Sequence, residues 1–194
     1  MKIADRIGHL GTETAFAVSA EAAAYAAKGH KVYPFHLGDM NIATPGNIVE
    51  ATIRAMKGGK TGYCPNTGIM PLRELIAGEI NRTHGTHYGA ANVAVQPGGK
   101  PVICKFILAM MNAGDEVLYP NPGYPIYESQ IELHGGKALP YGYTEGKENF
   151  RIDLESLEHE ITPRTRLLIV NDLQNPTGAE CSLQERETLA ELVL

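Results

Sequence analysis

The sequence predicts an α/β fold in three layers, α/β/α, with a mainly parallel sheet covered by helices on both faces. Three observations carry that expectation. From Asn92 onward, short apolar runs alternate with helical stretches, the rhythm that produces crossover connections between parallel strands. Loops rich in Gly, Asn and Pro follow several of those runs, on the rim where open α/β sheets bind ligands. The composition is that of an ordinary globular protein, with 43% apolar and 20% charged residues over 194 positions. A chain of that length can bury a core without disulfides or metal.

Taken in order, the first element is an Ala-rich helix over Ser19 to Lys28, closed by Gly29. An extended run, Lys31 to Leu37, leads to a turn at Gly38-Asp39. Thr44-Pro45 marks a helix start, with Thr as N-cap and Pro at the first helical position, and Gly58-Gly59 ends that helix. A third helix opens near Pro71, with Leu72, Leu75, Ile76 and Ile80 at helical spacing. Strands are expected at Val93–Val95, Val117–Tyr119, Ala138–Tyr141 and Leu167–Val170. Helices are expected at Val102–Met111, Tyr124–His134 and Leu154–Ile161. Ser182 and Glu185 form a capping-box pattern that opens a last helix, whose Leu189, Leu192 and Val193 begin an apolar face. The expected organisation is an arm and small-domain segment over residues 1–44 and an incomplete large domain over 45–194. The absence of a capping signal at the end of the last helix leads us to expect a fragment.

Charge and cysteine content narrow the function classes. A formal net charge of −5 has the wrong sign for neutralising nucleic-acid phosphates or docking on an anionic membrane. Cys64, Cys104 and Cys181 are few and far apart, which fits neither a disulfide framework nor a zinc spacing. The opening Met-Lys-Ile-Ala-Asp-Arg lacks a signal-peptide apolar stretch, and Phe106–Met111 is too short to span a bilayer, so a cytoplasmic location is expected. His84 and His87, set among Thr and Gly, are the one close histidine pair, and no metal site is expected there.

Chemistry concentrates in three loops. Gly98-Gly99-Lys100 follows the expected Val93–Val95 strand and opens a helix, where backbone N–H groups favour an anion such as phosphate. It matches neither a Walker P-loop nor the dinucleotide fingerprint, and taken alone it is also compatible with a plain tight turn. Asn175-Pro176-Thr177-Gly178 follows the Leu167–Val170 strand and offers an amide that can both donate and accept, although a type I turn would use the same residues. Asn121-Pro122-Gly123-Tyr124 adds turn chemistry and an aromatic ring on the same rim.

Read together, these loops resemble the class I aminotransferases, pyridoxal-phosphate enzymes of fold type I. The resemblance rests on Gly38, Thr44-Pro45, Thr61-Gly62-Tyr63, Gly68, Leu72-Arg73, Gly98-Gly99-Lys100 and Gly114 to Val117. It continues through Pro122, Tyr124, Tyr127, Gly135-Gly136, Asp153, Leu157, Ile161-Thr162 and Asn175 to Gly178, nearly the whole chain. It implies that Gly98, Gly99 and Lys100 hold the cofactor phosphate and that Tyr124 stacks on the pyridine ring. It implies that Asn175 bonds the ring's phenolic oxygen, favouring its anion, and that Gly38, with Asn175, lies near the substrate carboxylate. Tyr63 matches a residue that reaches the neighbouring subunit's phosphate, which implies a homodimer. It also implies that Asn121-Pro122 and Asn175-Pro176 are cis peptides. Pro101 and Leu173 depart from the pattern, Leu173 standing where the family usually has Pro. The family's Schiff-base Lys lies beyond the Asn-Pro-Thr-Gly loop, so no catalytic residue is assigned in this chain. By itself it is expected not to transaminate and to bind the cofactor weakly. The implied reaction is amino transfer between an amino acid and a 2-oxo acid, of the aspartate or alanine type. The alternatives are another reaction of the same fold type, such as a carbon–sulfur lyase, and a noncatalytic phosphate- or nucleotide-binding module.

Overall fold

The structure, a computed structural model, describes residues 2–10, 14–35, 38, 42–147 and 149–193. The chain divides into two compact units, Thr14–Gly98, and Met1–Glu13 with Gly99–Leu194.

The unit Thr14–Gly98 is helical, with α1 (Thr14–Ala26), α2 (Gly46–Lys57), α3 (Met70–His84) and a short 3-10 turn at Ala90–Asn92. α1 begins before the predicted Ser19, because Ala15 to Val18 contain no breaker. α2 starts one residue later than predicted. Pro45 keeps an extended ψ of 136° and is itself the cap, and no side chain caps the helix. Pro71 sits in the first turn of α3, and Gly85 closes that helix in the left-handed conformation. Of the predicted Lys31–Leu37 run, Lys31 to Pro34 form no regular element; His36, Leu37 and the turn residue Asp39 lie outside the described residues.

Val93–Val95 is not a strand, contrary to the sequence expectation. Its backbone groups are engaged otherwise. Arg73 Nε donates to the Val93 carbonyl at 3.0 Å, and Val95 N–H donates to the Thr67 carbonyl at 3.0 Å. A guanidinium and a loop thus take the place of a neighbouring strand.

The other unit holds α4 (Gly99–Met110), β1 (Glu116–Pro120), α5 (Ile126–Leu133), β2 (Lys137–Tyr141), β3 (Tyr143–Glu145), β4 (Phe150–Ile152), α6 (Leu154–Glu160), β5 (Thr165–Leu168) and α7 (Leu183–Val193). β1 is the centre of a three-stranded sheet in the order β2-β1-β5, and both pairings are parallel. Every residue of β1 is buried, as expected for a parallel strand covered on both faces. Side-chain alternation splits the core in two. Val117 and Tyr119 join Ile107 and Met111 at the α4 end and Tyr127 and Ile131 from α5. Leu118 joins Tyr141, Ile152, Leu157 from α6 and Leu189 from α7. Full burial of each such side chain stabilises by about 1.5–3 kcal/mol. The three-layer arrangement is the one the sequence predicts.

Boundaries shift where polar residues decide them. β5 is Thr165–Leu168 rather than Leu167–Val170, though Ile169 N–H still donates to the Leu118 carbonyl at 2.9 Å. The antiparallel hairpin β3–β4 was not anticipated. The capping box forms as read: the Glu185 carboxylate accepts from Ser182 N–H at 2.7 Å and from its hydroxyl at 2.6 Å, and Glu185 N–H donates back to that hydroxyl at 3.2 Å. Leu189 is buried, Leu192 packs beside it, and of the expected apolar face only Val193 is exposed.

The amino-terminal end of the sheet is tied by Glu116, which is only 1% exposed. Its carboxylate accepts from the Thr162 hydroxyl at 2.6 Å, from Arg164 at 2.6 Å and from Lys137 at 3.3 Å. The Thr162 hydroxyl chiefly, then Lys137 and Arg164, hold its pKa below the usual carboxylate value against the opposing effect of burial. That knot joins β1, β2 and the turn before β5 on the side away from the loops described next.

Candidate functional site

Two loops leave the carboxyl ends of β1 and β5 and meet. The first carries Asn121 to Pro125 and the second Ile169 to Ser182. Asn121-Pro122 and Asn175-Pro176 are both cis peptides, as the resemblance implies. The first loop is seated by Asn121 N–H donating to the Tyr141 carbonyl at 2.9 Å. Gly123 is held to its residue type by crowding, since a Cβ there would run into the Pro120 carbonyl oxygen. Tyr124 is half-buried, edge-on to Tyr127 with ring centroids 6.0 Å apart. Tyr127 is buried in the core below, so that contact fixes the angle of the Tyr124 ring.

The second loop is organised around Gln174. The Gln174 side-chain N–H donates to the Pro122 carbonyl of the first loop at 2.6 Å. Its carbonyl oxygen accepts from Thr177 N–H at 2.9 Å and from the Thr177 hydroxyl at 2.6 Å. Asn175 N–H donates to the Asn171 side-chain oxygen at 3.2 Å. Asn175 is exposed, and no hydrogen bond of its side-chain amide is formed among the described residues. Asp172 braces the far end of the loop, accepting from Cys181 N–H at 2.9 Å and pairing with Arg186 of α7 at 2.7 Å.

Titration follows these surroundings. Burial, helped by the Asp172 and Glu185 charges, pushes the Cys181 thiol up, which disfavours a nucleophilic thiolate. Burial would raise Glu185 too, but the Ser182 hydroxyl and N–H, with Arg151, hold it below the usual range. Tyr119 is pushed up to about 12 by burial and by Glu128 and Glu132, and burial raises Tyr127 and Tyr141. These phenols stay protonated.

Gly99 and Lys100 are exposed and open α4, whose first-turn N–H groups point outward. One turn on, Ile103 packs on the same cluster as Tyr124. Gly98 has a φ of 101°, a conformation natural to glycine. Gly98, Gly38 and Tyr63 belong to the other compact unit. There Gly38 is exposed and Tyr63 is fully exposed. Sequence reasoning missed Gln174 and Asp172. A glutamine in a polar loop carries no local sign that a carbonyl from another loop will bury it. Among the described residues no group of three or more His, Cys, Asp or Glu side chains is placed to hold a metal ion, and no helix is long and apolar enough to cross a membrane.

The family model described as aminotransferase class I and II matches residues 31–194. The chain belongs to the class I and II aminotransferases. A probable aspartate/prephenate aminotransferase of Aquifex aeolicus is 35% identical over 189 residues, covering 97% of this chain and 48% of that relative. An aspartate aminotransferase of Geobacillus stearothermophilus is 35% identical over 196 residues, covering 100% of this chain and 49% of its own length. Among solved structures, the Thermus thermophilus aspartate aminotransferase with maleate superposes with a TM-score of 0.92 at 32% identity, covering 100% of this chain and 50% of that one. An alanine aminotransferase from Pyrococcus furiosus gives 0.92 at 27% identity, covering 99% and 49%. The chain spans about half the length of the curated relatives it matches. The fold of this chain is thus shared with these solved structures.

Proposed function

We propose that the protein acts in pyridoxal-phosphate-dependent amino transfer between an amino acid and a 2-oxo acid, of the aspartate or alanine type. The observation that carries the reading is the hydrogen bond from Gln174 to Pro122, which joins the Tyr124 loop to the Asn175 loop at the carboxyl rim in a chain matched by the family model.

The donor set fits the cofactor in kind. The start of α4 offers backbone N–H groups to an anion, with Gly98, Gly99 and Lys100 as the proposed phosphate residues. Tyr124, held edge-on by Tyr127, offers an aromatic face. The exposed Asn175 amide offers a donor to a phenolic oxygen and a further contact to substrate. Gly38 is the proposed backbone contact to the substrate carboxylate. Tyr63, fully exposed, is the proposed contact to a neighbouring subunit's phosphate in a homodimer. Pyridoxal phosphate, when bound, supplies an electron sink for the pair left at the amino acid's α-carbon as its proton departs. This chain's residues bind and orient. The proposed division is an arm and small-domain segment over residues 1–44 and a cofactor domain from 45, and the proposed location is the cytoplasm.

The test is turnover by the intact protein, as its natural reading frame encodes it. Incubation with aspartate or alanine, pyridoxal phosphate and a 2-oxo acid acceptor should yield the new amino acid in proportion to the acceptor consumed. Release of 2-oxo acid without acceptor would instead indicate a lyase. Binding of a nucleotide, with none of pyridoxal phosphate, would indicate a noncatalytic module.

A further inference from the structure

We propose that Gln174 is the positioning residue of this site, a buried amide that locks the Asn175 loop to the Tyr124 loop and thereby sets the aim of both side chains toward the cofactor. The inference rests on the pyridoxal-phosphate reading and names a residue that the resemblance does not mark.

Gln174 is 2% exposed, in a class of side chain that is mostly found at the surface. Its burial is tolerated because every polar group it brings is satisfied. Besides the side-chain bonds to Pro122 and Thr177, its N–H donates to the Ala179 carbonyl at 2.9 Å and its carbonyl accepts from Gly178 at 2.6 Å.

The chemistry of the two loops explains why an amide is needed. Pro122 and Pro176 have no N–H, so each loop can offer a carbonyl at its proline but cannot be tied by a backbone donor there. A bridge from the second loop must therefore donate to the Pro122 carbonyl and, with the same group, accept from Thr177. A carboxylate can only accept, a hydroxyl is too short to span both, and an apolar side chain does neither. Asn175 follows Gln174 directly and Tyr124 stands two residues after Pro122, so a slip of this bridge moves both site residues relative to each other.

Gln174→Glu tests the bridge selectively, because the new carboxylate keeps the Thr177 contacts but loses the donor to Pro122. The intact protein is titrated with pyridoxal phosphate, followed by absorbance and repeated across pH, for wild type, Gln174→Glu, Gln174→Met and Thr177→Val. At about pH 8, Gln174→Glu and Gln174→Met should each bind about tenfold more weakly, the effect of one misaimed hydrogen bond to a charged group. The pH at which the bound cofactor's absorbance changes should move upward in both, since a misaimed Asn175 no longer favours the phenolic anion. As pH falls toward about 5, the introduced carboxyl takes up a proton and regains a donor, so the Gln174→Glu deficit relative to wild type should narrow while that of Gln174→Met does not. Thr177→Val, which leaves the bridge to Pro122 intact, should weaken binding in the same direction but less, and it carries the test if the Gln174 variants fail to fold. A merely structural role would lower the unfolding midpoint without moving the absorbance profile. Wild-type binding together with unchanged affinities and unchanged absorbance profiles in the variants would overturn the role of Gln174 alone. A wild-type protein that binds no pyridoxal phosphate would overturn the cofactor reading and this inference with it.

Discussion

The substitution Leu173→Pro should destabilise this chain. Leu173 has a φ of 55°, in the left-handed region, and its side chain is 72% exposed. Proline is fixed near about −65°, so Leu173→Pro cannot keep the present backbone. The substitution also deletes the Leu173 N–H, which donates to the Asp172 carboxylate at 3.2 Å, a bond worth about 0.5–1.5 kcal/mol. Rotating the backbone out of the left-handed region relieves about 1–2 kcal/mol of leucine's own strain. That relief requires displacing the next residue, Gln174, whose buried amide would lose partners at about 1–3 kcal/mol for each group left unsatisfied. With at least two such groups on Gln174, the losses exceed the relief, and the net expectation is a loss of about 3–4 kcal/mol. With a urea slope of about 2 kcal/mol per molar, the unfolding midpoint should fall by about 1.5–2 M. The assay is urea unfolding of wild type and Leu173→Pro, followed by far-UV circular dichroism. A variant that unfolds at or above the wild-type midpoint would show that the loop accepts a backbone with φ near about −65° at position 173, and the left-handed Leu173 reasoning would be wrong.

Three further outcomes are expected from the same fold. Leu157→Ala, which empties a fully buried site among Leu118, Tyr141, Ile152 and Leu189, should cost about 2–5 kcal/mol in urea unfolding; a loss under about 1 kcal/mol would contradict the packing of α6 on the sheet. Gly123→Ala places a Cβ against the Pro120 carbonyl oxygen, so it should lower the midpoint and change the near-UV dichroism of the Tyr124–Tyr127 pair, and unchanged spectra would contradict the turn geometry. Glu116 has its folded pKa depressed below the usual value, so its stabilisation is present above the unfolded pKa and is lost as pH falls through the folded one. Stability should therefore decline from about pH 5 toward about pH 3 more steeply in wild type than in Glu116→Gln, and parallel declines would remove Glu116 from the acid response.

What was legible in the sequence follows from locality. β1 could be read because a strand buried on both faces is a continuous apolar run, Val117 to Tyr119. The capping box at Ser182 could be read because donor and acceptor are three residues apart. The glycine pair and the two Asn-Pro loops carried their own turn chemistry. Contacts made across the fold were not legible. Val93–Val95 has a strand's composition, but its carbonyl at Val93 is taken by Arg73 from α3, twenty positions earlier. The β3–β4 strands, at three residues each, are too short and too polar for a period to appear. Gln174 is buried by a carbonyl that lies 52 positions away in the chain. The roles proposed for Gly98, Tyr124 and Asn175 come from the family resemblance, since no periodicity points to them.

Whether the rim formed by the Tyr124 and Asn175 loops is a pyridoxal-phosphate site is tested most directly by a cofactor titration of the intact protein and of its Asn175→Ala variant. Wild type should bind saturably at one cofactor per chain. Asn175→Ala should bind about tenfold or more weakly, as expected for loss of one hydrogen bond to a charged acceptor, and its bound cofactor should change absorbance at higher pH. No saturable binding, or identical affinity and absorbance in the two proteins, would contradict the claim.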